Sequence, residues 1–497
     1  MAPSVLQCLS FVAAVLPVVS AATADQWRGK NIYQVLTDRF WRTDDSTTAP
    51  CNVNDNKYCG GTYKGIIKNL DYIQNMGMDA IWISPITNNT PTGYHGYYQN
   101  NLYALNPHFG TEDDLKALSK ALHDRGMYLM VDVVTNHFGS PDGYPNIPYS
   151  QYYPFNSQSY FHPYISDLCP NGDINYDYQP AAEACWLYNN LPDLRTEDQN
   201  VVDAFSTWIS QFVSKYGIDG LRIDSVKNVN KASMTPFCKA AGVYCLGELA
   251  NGNPDYSYPY QAVLNGGGII NYPIYDTWTS TWLNGGSMAN LAYAMYQDRN
   301  DSIDANLHGT FTENHDNPRV AFTTNDIAIA KNSIAWTMLT DGIPIIYYGQ
   351  EQHFSGADDP GCREAMWLGG TASGKLNTNA ELYKTTTLLA KIRHWAVAHS
   401  SSYTKTNGVA LNYSNNQISI KKDVIVSILT SAGTGQSAGT YTTQGAAFGS
   451  GTQVVDVVSC KTYTANGSGE VTADVGGGVH VVMLKASFLS GSGLCGR

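Results

Sequence analysis

Acidic side chains end three short apolar segments of this sequence, at Asp224, Glu248 and Asp316. The apolar residues of 217–223 alternate like those on the buried face of a strand, so Asp224 is predicted where that strand gives way to a loop. Two carboxyl groups in one cleft suit glycoside hydrolysis, because one attacks the anomeric carbon while the other protonates the leaving oxygen. The spacing therefore points to paired-acid chemistry if the fold brings these residues together.

Arg222 precedes Asp224 by two positions, and the period of a strand points both side chains to the same face. A guanidinium beside a carboxylate favours the ionised form of the acid, which suits a nucleophile. Taken alone, such a pair is most simply interpreted as a surface strand that ends in a solvated Asp. The two further segments that end in acids favour the catalytic interpretation.

Alternating strands and helices supply a scaffold on which the acids would converge. Strands are predicted at 31–36, 80–85, 128–134, 269–273 and 343–350, and in the three segments that end in Asp224, Glu248 and Asp316. Helices are predicted at 65–77, 111–126 and 201–217. Eight parallel strands close a (β/α)8 TIM barrel, an α/β fold whose active site is built at the carboxyl ends of the strands.

Two regions depart from this alternation. Residues 138–194 are rich in Tyr, Pro, Asn and Ser, and so long an irregular excursion predicts an inserted, functional domain after the third strand. Residues 400–497 are rich in Gly, Ser, Thr and Val with alternating apolar stretches, which predict a C-terminal antiparallel β-sandwich. The barrel domain then comprises 22–137 and 195–399.

Four segments identify the family that this sequence resembles. They are Asp132-Val-Val-Thr-Asn-His137, Gly220-Leu-Arg-Ile-Asp224, Gly247-Glu248 and Glu313-Asn-His-Asp316. In this order they resemble the signature regions of the α-amylase family, glycoside hydrolase family 13, and in particular its secreted fungal members of the Taka-amylase type. The resemblance covers nearly all of the chain after the leader. It implies that Asp224 is the nucleophile, Glu248 the general acid/base and Asp316 the acid that stabilises the transition state.

The resemblance also implies substrate contacts and a calcium site. The implied substrate contacts are His95, Tyr97, Tyr98, His137, Arg222, Lys227, His315, Asp359 and Arg363. Calcium (Ca²⁺) is expected where the inserted domain meets the barrel, and its implied ligands are the side chains of Asn136, Glu183 and Asp193 and the backbone carbonyl of Asn228. Hard oxygen ligands from separate segments suit Ca²⁺ better than Zn²⁺. Each residue alone is more simply interpreted as a hydrogen-bonded loop residue, and only the set favours a metal.

The sequence departs from the Taka-type pattern in the expected cleft. Asn228 follows Lys227 where that pattern has His, which removes an imidazole contact to the sugar beyond the cut bond. Tyr98 stands where Trp is usual, so we expect modestly weaker stacking. An endo-acting, retaining α-amylase is the main hypothesis, with an α-glucanotransferase or an α-glucosidase as the alternative that Asn228 motivates. A catalytically inactive glucan-binding protein is disfavoured because all three acids are present.

Residues 1–21 resemble a secretory signal peptide, since an uncharged Val/Leu/Ala-rich run ends in small residues. Its removal takes Cys8 and leaves nine cysteines. The resemblance implies three disulfides, Cys51–Cys59, Cys169–Cys185 and Cys460–Cys495. Cys238, Cys245 and Cys362 are left over. A buried free thiol is expected at Cys245, whereas a bond between Cys238 and Cys362 stays open.

Composition is consistent with a secreted enzyme that acts on neutral polymers. The formal net charge of -12 argues against nucleic acids and anionic membranes as partners. Only 14% of residues are charged while Tyr numbers 34, which fits the stacking of sugar rings on aromatic faces. The expected partners are starch, glycogen-like α-glucans and maltooligosaccharides, and the expected state is a monomer. Possible N-glycosylation sites lie at Asn88, Asn300, Asn412 and Asn466.

Overall fold

Strands and helices alternate through the first four hundred residues of the computed structural model, which describes residues 22–497; the predicted signal peptide lies outside them. The strands are β1 (Ile32–Val35), β2 (Ala80–Ile83), β3 (Thr87–Asn89), β4 (Gln99–Leu105), β5 (Tyr128–Val134), β6 (Gly220–Asp224), β7 (Tyr244–Gly247), β8 (Gly268–Ile269), β9 (Gly309–Thr310), β10 (Ile343–Tyr347), β11 (Thr371–Ala372) and β12 (Lys375–Leu376). The helices are α1 (Ala24–Trp27), α2 (Thr37–Phe40), α3 (Tyr63–Lys68), α4 (Leu70–Asn75), α5 (Glu112–His123), α6 (Gln179–Ala184), α7 (Gln199–Tyr216), α8 (Lys231–Ala241), α9 (Pro254–Ser257), α10 (Tyr272–Trp282), α11 (Met288–Asp301), α12 (Val320–Thr323), α13 (Ile327–Leu339), α14 (Met366–Gly369) and α15 (Glu381–His399).

Eight of these strands form one parallel sheet, in the order β8-β7-β6-β5-β2-β1-β10-β9. A parallel bridge between Ile270 and Gly309 joins the two ends of the sheet and closes the ring. Buried apolar side chains from several strands, among them Met130, Leu246 and Ile345, pack together in one cluster. The predicted (β/α)8 barrel is confirmed, so the carboxyl ends of all eight strands open on one face.

Local signals in the sequence set several helix ends. Thr111 caps α5, and its hydroxyl accepts a hydrogen bond from the Asp114 amide while the Asp114 carboxylate accepts one from the Thr111 amide. Gly217 ends α7 with a φ of 61°, a conformation that glycine adopts without a steric penalty. Each of these two helices is followed within a few residues by the next barrel strand, β5 after α5 and β6 after α7.

Several element predictions were wrong in detail. The strand predicted to end at Asp316 is Gly309–Thr310, so Asp316 lies in the loop that follows it. The segment 65–77 forms α3 and α4 instead of one helix, because Asn69 leaves the helical conformation and its side chain donates to the carbonyl of Gly65. The sixth barrel strand ends at Ile269 instead of residue 273. Helix α10 begins at Tyr272, and Pro273 lies in its first turn, where a backbone N–H would have no partner within the helix.

The region 138–194 holds one short α-helix, α6, and connects to the barrel through isolated bridges. His137 pairs with Asp193, and Asn101 pairs with Tyr153. Its interior contains aromatic rings in edge contact, such as Phe138 against Tyr152 at 5.1 Å between centroids. The exact domain boundaries stay predictions, whereas the irregular character of this region agrees with its sequence.

The last hundred residues form antiparallel sheets. Their strands are β13 (Val409–Tyr413), β14 (Gln417–Lys422), β15 (Ile425–Thr430), β16 (Thr440–Thr442), β17 (Gln453–Asp456), β18 (Thr462–Thr464), β19 (Thr472–Asp474) and β20 (Val481–Lys485). Six of them form a sheet in the order β13-β14-β15-β20-β17-β18, and β16 pairs with β19. Val426, Val471 and Met483 belong to one buried apolar cluster between the two sheets, as predicted for a C-terminal antiparallel β domain.

A buried lysine connects this domain to the barrel. Lys422 of β14 is 3% exposed and contacts the Asp341 carboxylate in the loop before β10. Its ammonium also donates to Asn306 Oδ1 at 2.6 Å and to the Thr406 carbonyl at 2.8 Å. A charge so far from water requires these partners, so the junction has a fixed geometry.

Three disulfides are present, Cys51–Cys59, Cys169–Cys185 and Cys460–Cys495. Cys238, Cys245 and Cys362 are buried and free, so the open pairing of Cys238 with Cys362 is not made. Within residues 22–497, no helix combines the length and apolar character needed to cross a bilayer.

Candidate active site

The three acids that the sequence singled out lie at the same end of the barrel. Asp224 is the last residue of β6, Glu248 follows β7 directly, and Asp316 lies in the loop after β9. Asp224 and Glu248 are 7% and 8% exposed, so both carboxyl groups are largely withdrawn from water. Asp316 keeps 35% of its side chain exposed and therefore lies nearer the mouth of the cleft.

Arg222 is the electrostatic centre of this site. One of its terminal nitrogens lies 2.7 Å from Asp224 Oδ1 and 3.0 Å from Asp132 Oδ1, and the other lies 2.8 Å from Glu248 Oε1. Because a single planar guanidinium contacts all three acids, the carboxyl groups of Asp224 and Glu248 are neighbours. This is the juxtaposition that the chemistry of paired acids requires.

Asp132 was not predicted as a site residue, although it opens a signature segment. It is 1% exposed and accepts hydrogen bonds from Trp82 Nε1 at 3.2 Å and from the Tyr97 hydroxyl at 2.8 Å. Burial raises the pKa of Asp132 to about 7, and the opposing effect of Arg222 only partly offsets burial. The available signal was a carboxylate in the middle of an otherwise apolar strand, since such a residue needs a partner.

Glu248 has the properties of a general acid. Burial raises its pKa to about 8; Arg222 opposes this shift, while the charges of Asp224 and Asp316 add to it. Its Oε2 accepts a hydrogen bond from the Ser225 amide at 2.8 Å, which fixes the carboxyl group beside β6. A carboxyl group that keeps its proton near neutral pH is ready to protonate a leaving oxygen.

We expect kcat/KM to fall as pH rises through about 8, because this ratio reports the free enzyme and Glu248 must be protonated to act as an acid. Replacing Asp316 with Asn removes one of the charges that raise the pKa of Glu248. The alkaline limb of the variant should therefore move to lower pH. Initial rates on a soluble maltooligosaccharide across pH 5–10 measure the alkaline limb of the wild-type protein and of the variant. The same midpoint for the two proteins would contradict this electrostatic coupling.

Asp316 is held by two neighbours. Arg363 lies 3.3 Å from Asp316 Oδ1, and His315 Nε2 lies 3.4 Å from its Oδ2. Arg363 also contacts Asp359 at 2.8 Å and donates to the His315 carbonyl at 2.9 Å. The structure thus brings these four predicted site residues together on one side of the cleft.

Tyr97 connects the two sides of the site. Its hydroxyl donates to Asp132, so the 2.7 Å contact with His315 Nε2 requires this nitrogen to carry the proton. The other ring nitrogen of His315 then accepts from the Gln34 amide at 2.7 Å. Burial, with Arg222 and Arg363 nearby, lowers the pKa of His315 well below its usual range, so the imidazole is neutral.

Two further histidines pack beside this network. His95 stacks on Tyr97 with 5.5 Å between ring centroids, and Tyr98 meets His95 edge-on at 4.5 Å. His137 Nε2 donates to the Tyr97 carbonyl at 3.0 Å. These four predicted residues therefore form one wall of polar and aromatic groups, which suits the recognition of a neutral sugar.

Asn228 does not face the cleft through its side chain. It is 1% exposed, and its amide donates to the Ala182 carbonyl in α6 at 2.9 Å. The Lys227 ammonium donates to the carbonyl of Ala250, two residues after Glu248, at 2.9 Å. The expected loss of a contact beyond the cut bond is thus consistent with the position of Asn228.

The residues implied for calcium meet where region 138–194 joins the barrel. Oδ1 of Asn136 and Oδ1 of Asp193 are buried without a hydrogen-bond partner, and the two side chains are neighbours. The Glu183 carboxylate accepts hydrogen bonds from the side-chain amides of Gln179 and Asn230, and its oxygens have further lone pairs free. Among residues 22–497, no three His, Cys, Asp or Glu side chains cluster as metal ligands, so amide and carbonyl oxygens must complete the set. The unpartnered oxygens fit a hard cation.

Two family descriptions match this chain. "Alpha amylase, catalytic domain" matches residues 34–425, and "Alpha-amylase, domain C" matches residues 410–497. "Alpha-amylase 2" of Schwanniomyces occidentalis is 44% identical over 491 residues, which cover 96% of this chain and 93% of that protein. "Alpha-amylase" of Saccharomycopsis fibuligera is 42% identical over 478 residues, which cover 94% and 93%.

Solved structures agree with the sequence relatives. An alpha-amylase from Malbranchea cinnamomea superposes with a TM-score of 0.91 at 46% identity, covering 95% of this chain and all of that one. An alpha-amylase from Geobacillus thermoleovorans, complexed with acarbose, has a TM-score of 0.79 at 26% identity and covers 92% and 98%. From its barrel, its acids at the strand ends and these matches, the chain belongs to the alpha-amylase family of glycoside hydrolases.

Proposed function

We propose that this enzyme is an endo-acting, retaining α-amylase that hydrolyses internal α-1,4 bonds of starch and related glucans. The observation that carries the proposal is the Arg222 guanidinium, which contacts both Asp224 and Glu248 at 2.7 and 2.8 Å. Retaining glycosidases hold their two carboxyl groups about 5 Å apart, close enough for direct attack on the anomeric carbon. A shared guanidinium favours that spacing over the wider one of inverting enzymes.

In the first step, the Asp224 carboxylate attacks the anomeric carbon and forms an ester bond. The glycosidic bond breaks, and its oxygen takes the proton of Glu248, so the leaving chain departs as an alcohol. In the second step, the Glu248 carboxylate removes a proton from water. The water oxygen displaces Asp224 from the anomeric carbon, and both acids return to their starting states.

The remaining site residues bind the sugar and hold the acids. Asp316 and Arg363 are suited to hydrogen bonds with hydroxyl groups of the sugar at the cleaved bond, while Tyr97 offers a ring for stacking. The neutral His315 is a hydrogen-bond donor at Nε2 that stays uncharged near neutral pH. Arg222 keeps compensating charge beside Asp224 when the ester forms and breaks.

A glucan transferase or an α-glucosidase on the same scaffold is the second candidate, which is motivated by Asn228 in place of the His of the Taka-type pattern. The imidazole that is missing here would contact the sugar beyond the cut bond. Its absence changes the ratio of attack by water to attack by a sugar hydroxyl on the ester intermediate. Products from maltoheptaose distinguish the alternatives. Short mixed maltodextrins support endo hydrolysis, oligomers longer than the substrate indicate transfer, and glucose released singly indicates an α-glucosidase. Starch binding without new reducing ends would indicate a protein that only binds glucans.

We also propose that calcium joins region 138–194 to the barrel. Members of the alpha-amylase family generally bind calcium. Here Asn136, Glu183 and Asp193 would hold the ion with the carbonyl of Asn228, and the unpartnered Oδ1 atoms of Asn136 and Asp193 support this. When bound, the ion would supply positive charge that ties these segments together.

Removing calcium with a chelator should lower the melting temperature by about 2–5 °C, because an ion at a hundred times its Kd stabilises the fold by about 2.7 kcal/mol. Replacing Asp193 with Asn should abolish the calcium-dependent part of this shift, measured by differential scanning fluorimetry. Asp198, which is part-exposed and pairs with Arg195, provides the matched control. An equal calcium shift in the Asp193→Asn and wild-type proteins would contradict the ligand assignment.

We propose that the protein is exported from the cell. The support is the predicted signal peptide at residues 1–21, the three disulfides and the similarity to fungal alpha-amylases. Disulfides persist in oxidising compartments, and each of the three closes a loop or the C-terminal end of the chain. Starch and maltooligosaccharides are the proposed partners.

A further inference from the structure

Two exposed tyrosine rings lie side by side on helix α11. Tyr293 and Tyr296 are 62% and 54% exposed, their ring centroids are 6.3 Å apart, and the ring planes differ by 17°. The Arg299 guanidinium lies 5.3 Å from the Tyr296 ring centroid. The other face of the helix, which includes Leu291 and Met295, is buried. Neighbouring exposed rings, unlike isolated ones, indicate a surface that another group covers.

Asn300 lies in the last turn of the same helix and begins an N-glycosylation sequon, Asn300-Asp-Ser302. Positions 293, 296 and 300 are separated by three and four residues, a spacing that aligns side chains along one face of a helix. The Asn300 side-chain amide donates to the Tyr296 carbonyl at 2.6 Å, so its nitrogen is held at the turn that carries Tyr296. A group attached to this nitrogen would therefore start beside the tyrosine pair.

The asparagines of the four sequons differ in their access to solvent. Asn88 and Asn412 are half-buried, and the side-chain amide of each donates a hydrogen bond to a neighbouring strand, at 2.6 and 3.0 Å. Asn300 and Asn466 are exposed. Because an attached sugar needs room outside the fold, accessibility favours Asn300 and Asn466 over the other two.

We propose that Asn300 carries an N-linked glycan whose first sugars cover the pair Tyr293 and Tyr296. The bond that forms joins Asn300 Nδ2 to the anomeric carbon of the first sugar. The bond that breaks joins that carbon to a lipid-linked diphosphate, which leaves while the amide loses one proton. The N–H that remains can still donate to the Tyr296 carbonyl. Sugar C–H groups then pack on the aromatic faces, and the outer hydroxyl groups stay in water.

This inference rests on the proposed export, because the lipid-linked sugar donor belongs to the secretory pathway. It is independent of the chemistry proposed for the candidate active site. Starch hydrolysis and site occupancy are therefore measured separately on the same protein.

Site occupancy is tested on the full chain secreted by a eukaryotic host. Enzymatic release of N-linked glycans in heavy-oxygen water converts each occupied Asn into a labelled Asp, and mass spectrometry of the digested protein locates the label. We expect the label at position 300 in wild-type protein and in the control Asn466→Gln, and its loss from that position in Asn300→Gln. An unlabelled Asn300 in the secreted wild-type protein would overturn the proposal.

Nitration of tyrosine tests whether the glycan covers the two rings. Because the reagent needs access to the ring, we expect Tyr293 and Tyr296 to react about fivefold more slowly in wild-type protein than in Asn300→Gln. Tyr178, which is 52% exposed and precedes α6, is the internal control and should react equally in both proteins. Equal reactivity of the pair in wild-type protein and Asn300→Gln would overturn the covering role.

Starch hydrolysis by Asn300→Gln should match that of wild-type protein, which shows that the variant is folded. A labelled Asn300 in a protein that does not hydrolyse starch would overturn the proposed function and leave the glycan site in place.

Discussion

Replacing Glu248 with Gln is expected to reduce turnover of starch by about 10²–10⁴-fold and to leave folding intact. The amide N–H groups are not acidic enough to protonate the leaving oxygen, and the amide cannot deprotonate water. Folding should tolerate the change because the pKa of Glu248 is raised to about 8, so the native side chain is already mostly neutral at pH 7. Reducing-sugar release measures the rate, and the melting temperature measures the fold.

A substrate that needs no proton separates loss of the acid from general damage. Fluoride is a good leaving group without protonation, and azide attacks the ester intermediate without a general base. Maltosyl fluoride with added azide should therefore restore much of the rate of Glu248→Gln and give maltosyl azide. Glu381 on α15, which pairs with Lys331 at the surface, provides the control substitution Glu381→Gln. A starch rate within a few fold of wild type would remove Glu248 from the mechanism.

Replacing Arg222 with Met is expected to lower the free energy of unfolding by about 3–5 kcal/mol at pH 8, since it leaves buried acids without their cation. Arg222 contacts Asp132, Asp224 and Glu248, and it lowers the pKa of both Asp132 and Glu248. Without it, these two folded-state pKa values rise further above the unfolded ones. The folded state then binds more protons, so the variant loses stability as pH rises from 5 to 8.

Urea unfolding at pH 5 and pH 8 measures this dependence. Arg222→Lys keeps a positive charge and should recover part of the stability, but it cannot contact all the acids as a planar guanidinium does. Arg222→Met should lose about 10²-fold or more in kcat because the charge on Asp224 is no longer balanced, whereas Arg222→Lys should lose less because its ammonium still balances part of that charge. A destabilisation of Arg222→Met that is the same at both pH values would show that the loss is one of packing and not of charge.

The barrel was predictable because its signals are local. Thr111 and Asp114 form the expected capping box, Gly217 ends α7, and β5 has the predicted bounds of 128–134. Residue Asn69 shows the limit of such signals. The helical spacing of apolar residues continues through it, yet its side chain competes for the Gly65 carbonyl and breaks the helix.

The arrangement of the site needed the structure. The sequence placed Asp224 and Glu248 at strand ends, but only the closed ring shows that Arg222 lies between them. The role of Asp132 could not be predicted because its partners, Trp82 and Tyr97, are far from it in sequence. Asn228 was recognised as a departure, whereas the burial of its side chain against Ala182 depends on the packing of α6.

The measurement that tests the central claim most directly is the trapping of the sugar on the protein. A fluorinated α-maltosyl fluoride forms the ester readily and releases it slowly, and Glu248→Gln slows release further. Mass spectrometry of the digested protein then identifies the labelled residue. The paired-acid mechanism predicts a glycosyl ester on Asp224. A label on another acid, or products released with inverted anomeric configuration and no label, would contradict it.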